Sequence, residues 1–156
     1  RSVGGFDPRT LLAEPVEWIS SFARDSIGSL HEIRIPFEFE MQFTGIVHGL
    51  AGWFTVDFRG PNVSVNLSTA PDCQRTHWQH CRFFFRRPVA VNAGQGFVGE
   101  MVMTVNAHRS YDVKITATAN STAILEAFFL QDQQYHNLHA TNYPEVIPEY
   151  HNLYSN

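Results

Sequence analysis

The sequence predicts an all-β protein, an antiparallel β-barrel or sandwich of about eight to ten strands with an irregular C-terminal tail. Three observations lead to this prediction. Apolar and polar residues alternate in several segments of strand length, short connections rich in turn residues join these segments, and no amphipathic helix lies between them. A chain of 156 residues with 44% hydrophobic residues can bury one core. We therefore expect one β-domain over residues 1–130 and an extended tail over residues 131–156.

The longest alternating segment begins at Ile33 and ends at Phe43, with an apolar residue at every second position. Pro36 lies on the polar side, and because proline has no N–H to donate, it predicts an edge strand or a bulge. The glutamates of the polar side predict a solvated strand face, and an acidic surface that attracts arginine-rich substrates is the alternative. These glutamates are Glu32, Glu38 and Glu40.

The same alternation predicts a β-hairpin in the next part of the chain, because the strands over residues 50–58 and 63–67 are joined by the turn sequence Arg59-Gly60-Pro61. Further strands are predicted over residues 81–85, 97–105 and 111–119, and residues 124–130 fit either a last strand or one helical turn. The core is predicted to centre on the inward-facing residues Ile33, Ile35, Phe37, Phe39, Phe54, Val56, Val113 and Ile115.

Glycine motifs point to turns rather than to a cofactor site. The one Gly-x-Gly, at Gly94 and Gly96, has no third glycine and no following helix, so we interpret it as a hairpin turn. Neither a P-loop, a nucleophile elbow nor a His-Glu-x-x-His motif is present. We therefore expect no cofactor to be bound by this chain itself.

Charge and composition exclude several classes of partner. A net charge of −4 is the opposite of what a phosphate backbone requires, so we expect no direct nucleic-acid binding. No apolar run approaches the ~20 residues of a spanning helix, so we expect no membrane insertion. The chain starts at Arg1 without a signal peptide, which suggests a piece of a longer protein. Two cysteines, Cys73 and Cys81, predict free thiols in a reducing compartment.

The tail differs from the strands in composition. It is polar, and the sequence Tyr-His-Asn-Leu occurs at residues 135–138 and again at 150–153. Two copies are too few for a repeat array. Pro144 and Pro148 exclude a continuous helix, so we expect extended chain that packs on the barrel or binds a partner.

One connection, residues 68–80, is rich in chemically reactive side chains. A zinc site is one interpretation, but four ligands within nine residues, two of them adjacent, do not match the separated pairs of structural zinc sites, so we predict no metal. A catalytic cysteine with a histidine base is another, and here no orienting third group is evident. The residues considered for both are Cys73, His77, His80 and Cys81.

Several segments together resemble a known family. Residues 47–58 (VHGLAGWFTVDF), 67–71 (LSTAP) and 76–78 (THW) are similar in order and spacing to the C-terminal β-barrel of the protein arginine methyltransferases. Residues 6–9 (FDPR), 31–37 (HEIRIPF) and 110–113 (SYDV) fit the same register. The resemblance covers roughly residues 6–119 and is nearest to the coactivator-associated, type I branch.

The resemblance implies a substrate-binding role for Thr76, His77 and Trp78, with His77 also catalytic. In that family an upstream Rossmann-like domain binds S-adenosylmethionine, and the barrel closes the other side of the cleft. His77 would then pair with an acidic residue of that domain, and Trp78 would form a wall of the arginine channel. An imidazole–carboxylate pair can hold the cleft shut or relay a proton, and an indole face suits a planar cation.

The resemblance also implies the surroundings of this chain. The intact protein would methylate arginine in proteins, histones among them, with S-adenosylmethionine as methyl donor, and it would form a homodimer in the nucleus and cytoplasm. The chain alone would be inactive, because the glycine-rich loop, the active-site glutamates and the dimerisation arm would all precede Arg1. The alternative function is a free-standing β-sandwich module that binds sugars or peptides through Trp53 and Trp78.

Overall fold

The computed structural model describes residues 2–3, 5–21 and 25–130, and the predicted tail over 131–156 lies outside the described residues. Nine strands and two short 3-10 helices, Pro8–Thr10 and Ile27–Leu30, occupy this part of the chain. The strands are β1 (Ser2–Val3), β2 (Glu32–Glu40), β3 (Gly45–Gly52), β4 (Thr55–Arg59), β5 (Ser64–Ser68), β6 (Cys81–Val91), β7 (Gly96–Val105), β8 (Tyr111–Ala119) and β9 (Thr122–Phe129).

All strand pairs are antiparallel, as the short connections predict. One sheet has the order β1-β6-β3 and a second has the order β2-β7-β8-β9, while β4 and β5 form a separate two-stranded hairpin. The core draws its side chains from both larger sheets, which confirms the predicted β-barrel or sandwich. Its buried members are Phe37, Met41, Val47, Phe83, Phe85, Val89, Val91, Phe97, Val113, Ile115, Ala117, Ala119 and Ile124.

Phe97 lies at the centre of this core and is fully buried. Its ring is nearly parallel to those of Phe37 and Phe85, with centroid distances of 6.0 Å and 6.1 Å. Phe37 belongs to β2 and Phe85 to β6, so the three rings join the two larger sheets. Burial of aromatic area is the main stabilising contribution at such a position.

β2 confirms the predicted alternation and the predicted edge. Ile33 and Phe37 are buried, and Pro36 lies on an edge strand, where proline is tolerated because its nitrogen can face away from the neighbouring strand. The predicted strand over 33–43 is too long, because β2 ends at Glu40. Met41 is still bonded to the segment before β7, since it donates to the Gln95 carbonyl at 2.9 Å and accepts from the Gly94 N–H at 2.7 Å, and the chain bends at Gln42 and Phe43.

The β3–β6 pair contains a large bulge. Val47 pairs with Val89 whereas Gly49 pairs with Phe84, so residues Phe85–Pro88 of β6 lie opposite the single residue His48. Pro88 fits in a bulge because no ladder bond requires its N–H there. Gly49 is required at this point, since a Cβ on it would lie 2.0 Å from the Phe83 carbonyl oxygen.

Several expectations need correction. Phe54 and Val56 are not core residues: Phe54 is 42% exposed and Val56 is half-buried in the separate β4–β5 hairpin. The predicted strand over 50–58 is two strands, β3 and β4, because the chain leaves the sheet after Gly52. Gly94 has a φ of +78° in a turn, but the turn joins strands of different sheets rather than a hairpin. The segment over 124–130 belongs to a strand, β9.

The polar face of β2 is partly neutralised by an ion-pair network. Arg34 lies 2.8 Å from the carboxylate of Glu32 on the same strand and 3.1 Å from that of Glu100 on β7. The two carboxylates raise the pKa of Arg34, with Glu32 the larger cause. All three side chains are open to solvent, as the predicted solvated face requires. Among the described residues, no helix is long and apolar enough to cross a membrane.

Candidate functional site

The connection between β5 and β6 is anchored at its first residue. Thr69 is buried, and its hydroxyl donates to the Phe54 carbonyl at 2.9 Å and accepts from the Phe54 N–H at 3.1 Å. The Thr69 N–H also donates to the Phe54 carbonyl, at 3.0 Å. These bonds close the base of the β4–β5 hairpin and set the direction in which the loop leaves the barrel.

A β-turn follows over Ala70–Cys73. The Cys73 N–H donates to the Ala70 carbonyl at 3.0 Å, and Pro71 stands at the second position, where its fixed φ favours a turn. The Ser68 hydroxyl accepts from the Ala70 N–H at 3.2 Å and bonds the Thr55 hydroxyl at 2.9 Å. The LSTAP segment therefore forms a turn that local hydrogen bonds stabilise.

Thr76, His77 and Trp78 form one compact unit. The Thr76 hydroxyl accepts from the Trp78 N–H at 3.2 Å and donates to the Trp78 carbonyl at 3.3 Å. The His77 and Trp78 rings lie 3.9 Å apart with an interplanar angle of 33°. Trp78 also packs edge-on against Phe54 at 5.8 Å, yet 45% of it stays exposed. The β5–β6 connection therefore holds an exposed imidazole and an exposed indole together.

His80 anchors the far end of the loop. Its Nε2 lies 2.6 Å from the Thr69 carbonyl oxygen, and because a carbonyl only accepts, Nε2 donates. The imidazole packs edge-on against Phe6 at 4.8 Å and Trp53 at 6.2 Å. Both ends of the loop thus meet at Thr69, and His80 ties the N-terminal segment to them.

A cleft of about 620 Å³ lies between this loop and the N-terminal segment. Arg9 donates to the Asp7 carboxylate and lowers its pKa to about 2, so one rim residue is negative at neutral pH. The Arg75 guanidinium lies against Gly5, where a Cβ would come within 2.9 Å of Nη2. The cleft is lined by Gly5, Phe6, Asp7, Thr69, Ala70, Pro71, Cys73, Gln74, Arg75, Thr76, Trp78, Gln79 and His80.

The positions of the described histidine and cysteine side chains support neither a metal site nor a catalytic cysteine. No three His, Cys, Asp or Glu side chains come together as a metal site within residues 2–3, 5–21 and 25–130. His80 directs Nε2 to a backbone carbonyl rather than to a thiol. Cys73 is exposed on the turn, and Cys81 is half-buried against the core at the start of β6.

Two of the three predicted site residues, Thr76 and Trp78, line the cleft, whereas His77 stacks on Trp78 beside it. Sequence reasoning missed the contribution of Phe6 and Asp7 to the opposite wall. The FDPR segment, residues 6–9, fits the same family resemblance and is the signal that could have indicated this contribution. It also missed that His80 is the anchor of the loop.

Comparisons with known proteins show which proteins the chain is similar to. A family model described as the arginine methyltransferase oligomerization subdomain matches residues 3–122. Histone-arginine methyltransferase CARMER of Drosophila yakuba and of Drosophila persimilis are each 39% identical over 122 residues, which cover 78% of this chain and 23% of each relative. The chain thus spans about a quarter of the length of these curated relatives.

A solved structure gives the same fold. A chain of the Trypanosoma brucei PRMT1 enzyme-prozyme heterotetrameric complex with AdoHcy superposes with a TM-score of 0.76 at 20% identity. The match covers 83% of this chain and 43% of that chain. It confirms the predicted β-barrel architecture, and the CARMER relatives confirm the resemblance to the coactivator-associated branch.

Proposed function

Because the chain belongs to the protein arginine methyltransferase family, we propose that it is the substrate-side β-barrel of a protein arginine methyltransferase that acts on histones or other arginine-bearing proteins. One observation carries the proposal. The Thr76–Trp78 unit presents a half-exposed indole at a cleft of about 620 Å³, on a loop that hydrogen bonds hold at both ends. Such a preformed polar and aromatic cleft suits a side chain that must be oriented.

Trp78 forms a wall of the arginine channel. A guanidinium is a planar cation and stacks on an indole face through cation–π attraction. Phe54 and His77 contact the indole and restrict its rotation, so the face is preorganised. Preorganisation matters because methyl transfer to nitrogen requires the attacking atom in line with the departing group.

His77, which lies beside the cleft, takes a catalytic role. Its imidazole is exposed and free to pair with a carboxylate from the rest of the enzyme. That pair would hold the cleft closed, and it could accept the proton that the guanidino nitrogen loses on methylation. Stacking on Trp78 couples the position of the imidazole to that of the channel wall.

The methyl donor is held outside this chain. S-adenosylmethionine supplies an electrophilic methyl group, but the residues described here do not fit it. Their only helices are two short 3-10 turns, and the Gly94–Gly96 turn is bonded to Met41 instead of opening toward a ligand. We assign donor binding to an upstream Rossmann-like domain, so the 156-residue chain alone is inactive.

We also propose an assembly and a location for the intact enzyme. The matching family model is described as an oligomerization subdomain, which supports a homodimer of the intact enzyme. We place the intact enzyme in the nucleus and cytoplasm. The exposed thiol of Cys73 fits a reducing compartment. Sedimentation of the intact protein and imaging of a tagged copy test the two statements.

A free-standing binding module is less well supported. That function needs an accessible Trp53, but its ring packs against Phe6 and His80 at 6.1 Å and 6.2 Å. Trp53 therefore has a structural explanation within the barrel.

The direct test is transfer of a labelled methyl group from S-adenosylmethionine to an arginine peptide. The intact enzyme should methylate the peptide and leave a matched lysine peptide unlabelled. The 156-residue chain should methylate neither, and calorimetry should detect no binding of the donor to it. Donor binding by the chain alone at micromolar concentration would refute this division of roles.

A further inference from the structure

Arg75 brings an uncompensated positive charge to the cleft. It lines the cleft from the β5–β6 connection, it is exposed, and it makes no ion pair or hydrogen bond within residues 2–3, 5–21 and 25–130. The carboxylate of the cleft lining belongs to Asp7, and the Arg9 Nε already donates to both of its oxygens at 3.0 Å. The described lining therefore presents a negative charge that is paired and a positive charge that is not.

The guanidinium of Arg75 lies inside the cleft rather than on the outer surface of the loop. A Cβ on Gly5 would lie 2.9 Å from the Arg75 Nη2 and 3.8 Å from its Cζ and Nε, so the guanidinium occupies the space that a side chain at this position would need. Gly5 belongs to the N-terminal segment, which forms the opposite wall of the cleft. The Arg75 side chain therefore extends from one wall to the other.

A cation at this position acts on the residues beside the target arginine. In the proposed function the target guanidinium stacks on Trp78, which lines the same cleft three positions after Arg75. Consecutive residues of an extended peptide are about 3.3 Å apart, so the neighbours of the target arginine come close to the same cleft. Every substrate carries the target guanidinium, and its repulsion by Arg75 is therefore common to all of them. The charge of the neighbouring residue is what distinguishes one substrate from another.

We propose that Arg75 selects target arginines that have an acidic neighbour in the substrate sequence and disfavours those next to lysine or a further arginine. The inference rests on the proposed function and adds to it a class of substrate sequence. An aspartate or glutamate beside the target offers a carboxylate to a guanidinium, which binds carboxylates in a bidentate geometry. A lysine or arginine there places a second cation beside Arg75 and is repelled.

The glutamates of β2 act at a different place. Glu32, Glu38 and Glu40 do not line the cleft. Their strand belongs to the sheet β2-β7-β8-β9, whereas the connection that carries Arg75 leads into β6 of the other sheet. A charge outside the cleft changes how often basic proteins meet the enzyme, whereas Arg75 acts on the residues that enter the cleft.

Peptides that differ at one position test the selection. One set carries Glu, Gln or Lys immediately before the target arginine, and a second set carries the same residues immediately after it. At 0.01 M ionic strength the intact enzyme should show kcat/KM in the order Glu, Gln, Lys, with about fivefold or more between the first and the last in at least one set. The difference should shrink at 0.15 M, because the screening length falls from about 30 Å to about 8 Å. Equal kcat/KM within both sets would overturn the proposal.

Two substitutions assign the selection to Arg75. Arg75→Gln removes the charge and should bring the Glu and Lys peptides within about twofold of each other, and Arg75→Glu should reverse their order. Arg87→Gln is the matched control, because Arg87 is an exposed arginine of the β6 bulge that does not line the cleft, and it should keep the parent ratio. All three variants of the 156-residue chain should melt within about 2 °C of the parent.

The outcomes separate this inference from the proposed function. If the intact enzyme methylates the peptides but Arg75→Gln keeps the parent ratio, Arg75 does not select the substrate and the function stands. A parent enzyme that prefers the Lys peptides would likewise overturn the inference alone. If the intact enzyme methylates none of the peptides, the proposed function is wrong and this inference fails with it.

Discussion

The carboxylate of Glu126 on β9 accepts a hydrogen bond of 2.8 Å from the backbone N–H of Arg86 on β6. This bond joins two strands that belong to different sheets. Arg86 lies in the bulge opposite His48, where its N–H is outside the β3–β6 register. The Glu126 side chain is only 10% exposed, and its carboxylate pairs a backbone donor where the two sheets meet. The exposed Arg86 side chain, 3.7 Å from the same carboxylate, adds little.

Removal of this acceptor should destabilise the barrel. Glu126→Ala removes this hydrogen bond and should lower the free energy of unfolding by about 0.5–1.5 kcal/mol. Glu126→Gln keeps an amide oxygen as acceptor and should cost less. Urea denaturation of the 156-residue chain measures both, with Glu38→Ala on the exposed face of β2 as control. Equal stability of Glu126→Ala and Glu38→Ala would contradict this role.

Gly49 should tolerate no side chain. In Gly49→Ala the new Cβ meets the Phe83 carbonyl carbon and oxygen, and backbone cannot move aside as a flexible side chain can. We expect a loss of about 2 kcal/mol or more, or a barrel that does not fold. Gly96→Ala is the control, because a Cβ there lies 3.9 Å from its nearest neighbour. Thermal melts followed by circular dichroism distinguish the two variants.

The burial of an aromatic ring, rather than its residue type, should decide how much its removal lowers the free energy of unfolding. Phe97→Ala should cost about 3–5 kcal/mol, because the ring is fully buried between Phe37 and Phe85. Phe54→Ala should cost the isolated chain less than about 1 kcal/mol, since the ring is 42% exposed. Denaturant titrations test the order. A larger loss for Phe54→Ala would place the hairpin inside the core.

The Asp7–Arg9 pair should make the stability of the protein fall at low pH. The Arg9 hydrogen bonds lower the pKa of Asp7 from 3.8 to about 2, so the folded state favours the carboxylate. The stabilisation is present above pH 3.8 and is lost as the pH falls toward 2. Titration of the Asp7 carboxyl carbon by NMR should show a midpoint near 2, and Arg9→Ala should return it toward 3.8. An unchanged midpoint in Arg9→Ala would exclude the pair as the cause.

Alternation of apolar and polar residues predicts the strands that have one face in the core and the other in solvent. β8 alternates buried and exposed residues along its length, and both of its ends agree with the prediction. β3 carries three glycines next to small and polar residues, so its alternation is weak and its first part is not predicted. The hairpin strands alternate as clearly as β2, yet their apolar face is open. Alternation identifies an apolar face and does not identify what covers it.

The candidate site was predictable only in part. The Thr76–Trp78 unit is predicted from the family resemblance, on the order and spacing of the LSTAP and THW segments. The roles of Phe6 and His80 depend on tertiary contacts, since 74 positions separate two rings that pack at 4.8 Å in the folded chain. No local pattern encodes such a contact. The same holds for the Glu126–Arg86 bond, which depends on the bulge in β6.

The most direct test of the proposed site is the rate at which the intact enzyme methylates an arginine peptide. Trp78→Ala and His77→Ala should each lower kcat/KM by about tenfold or more, because the channel wall and the closing contact are lost. His108→Ala, an exposed histidine in the β7–β8 connection, should leave it unchanged. Neither loop substitution should alter the stability of the 156-residue chain by more than about 1 kcal/mol. Full methylation by both loop variants would contradict the assignment of Thr76–Trp78 to the substrate side of the enzyme.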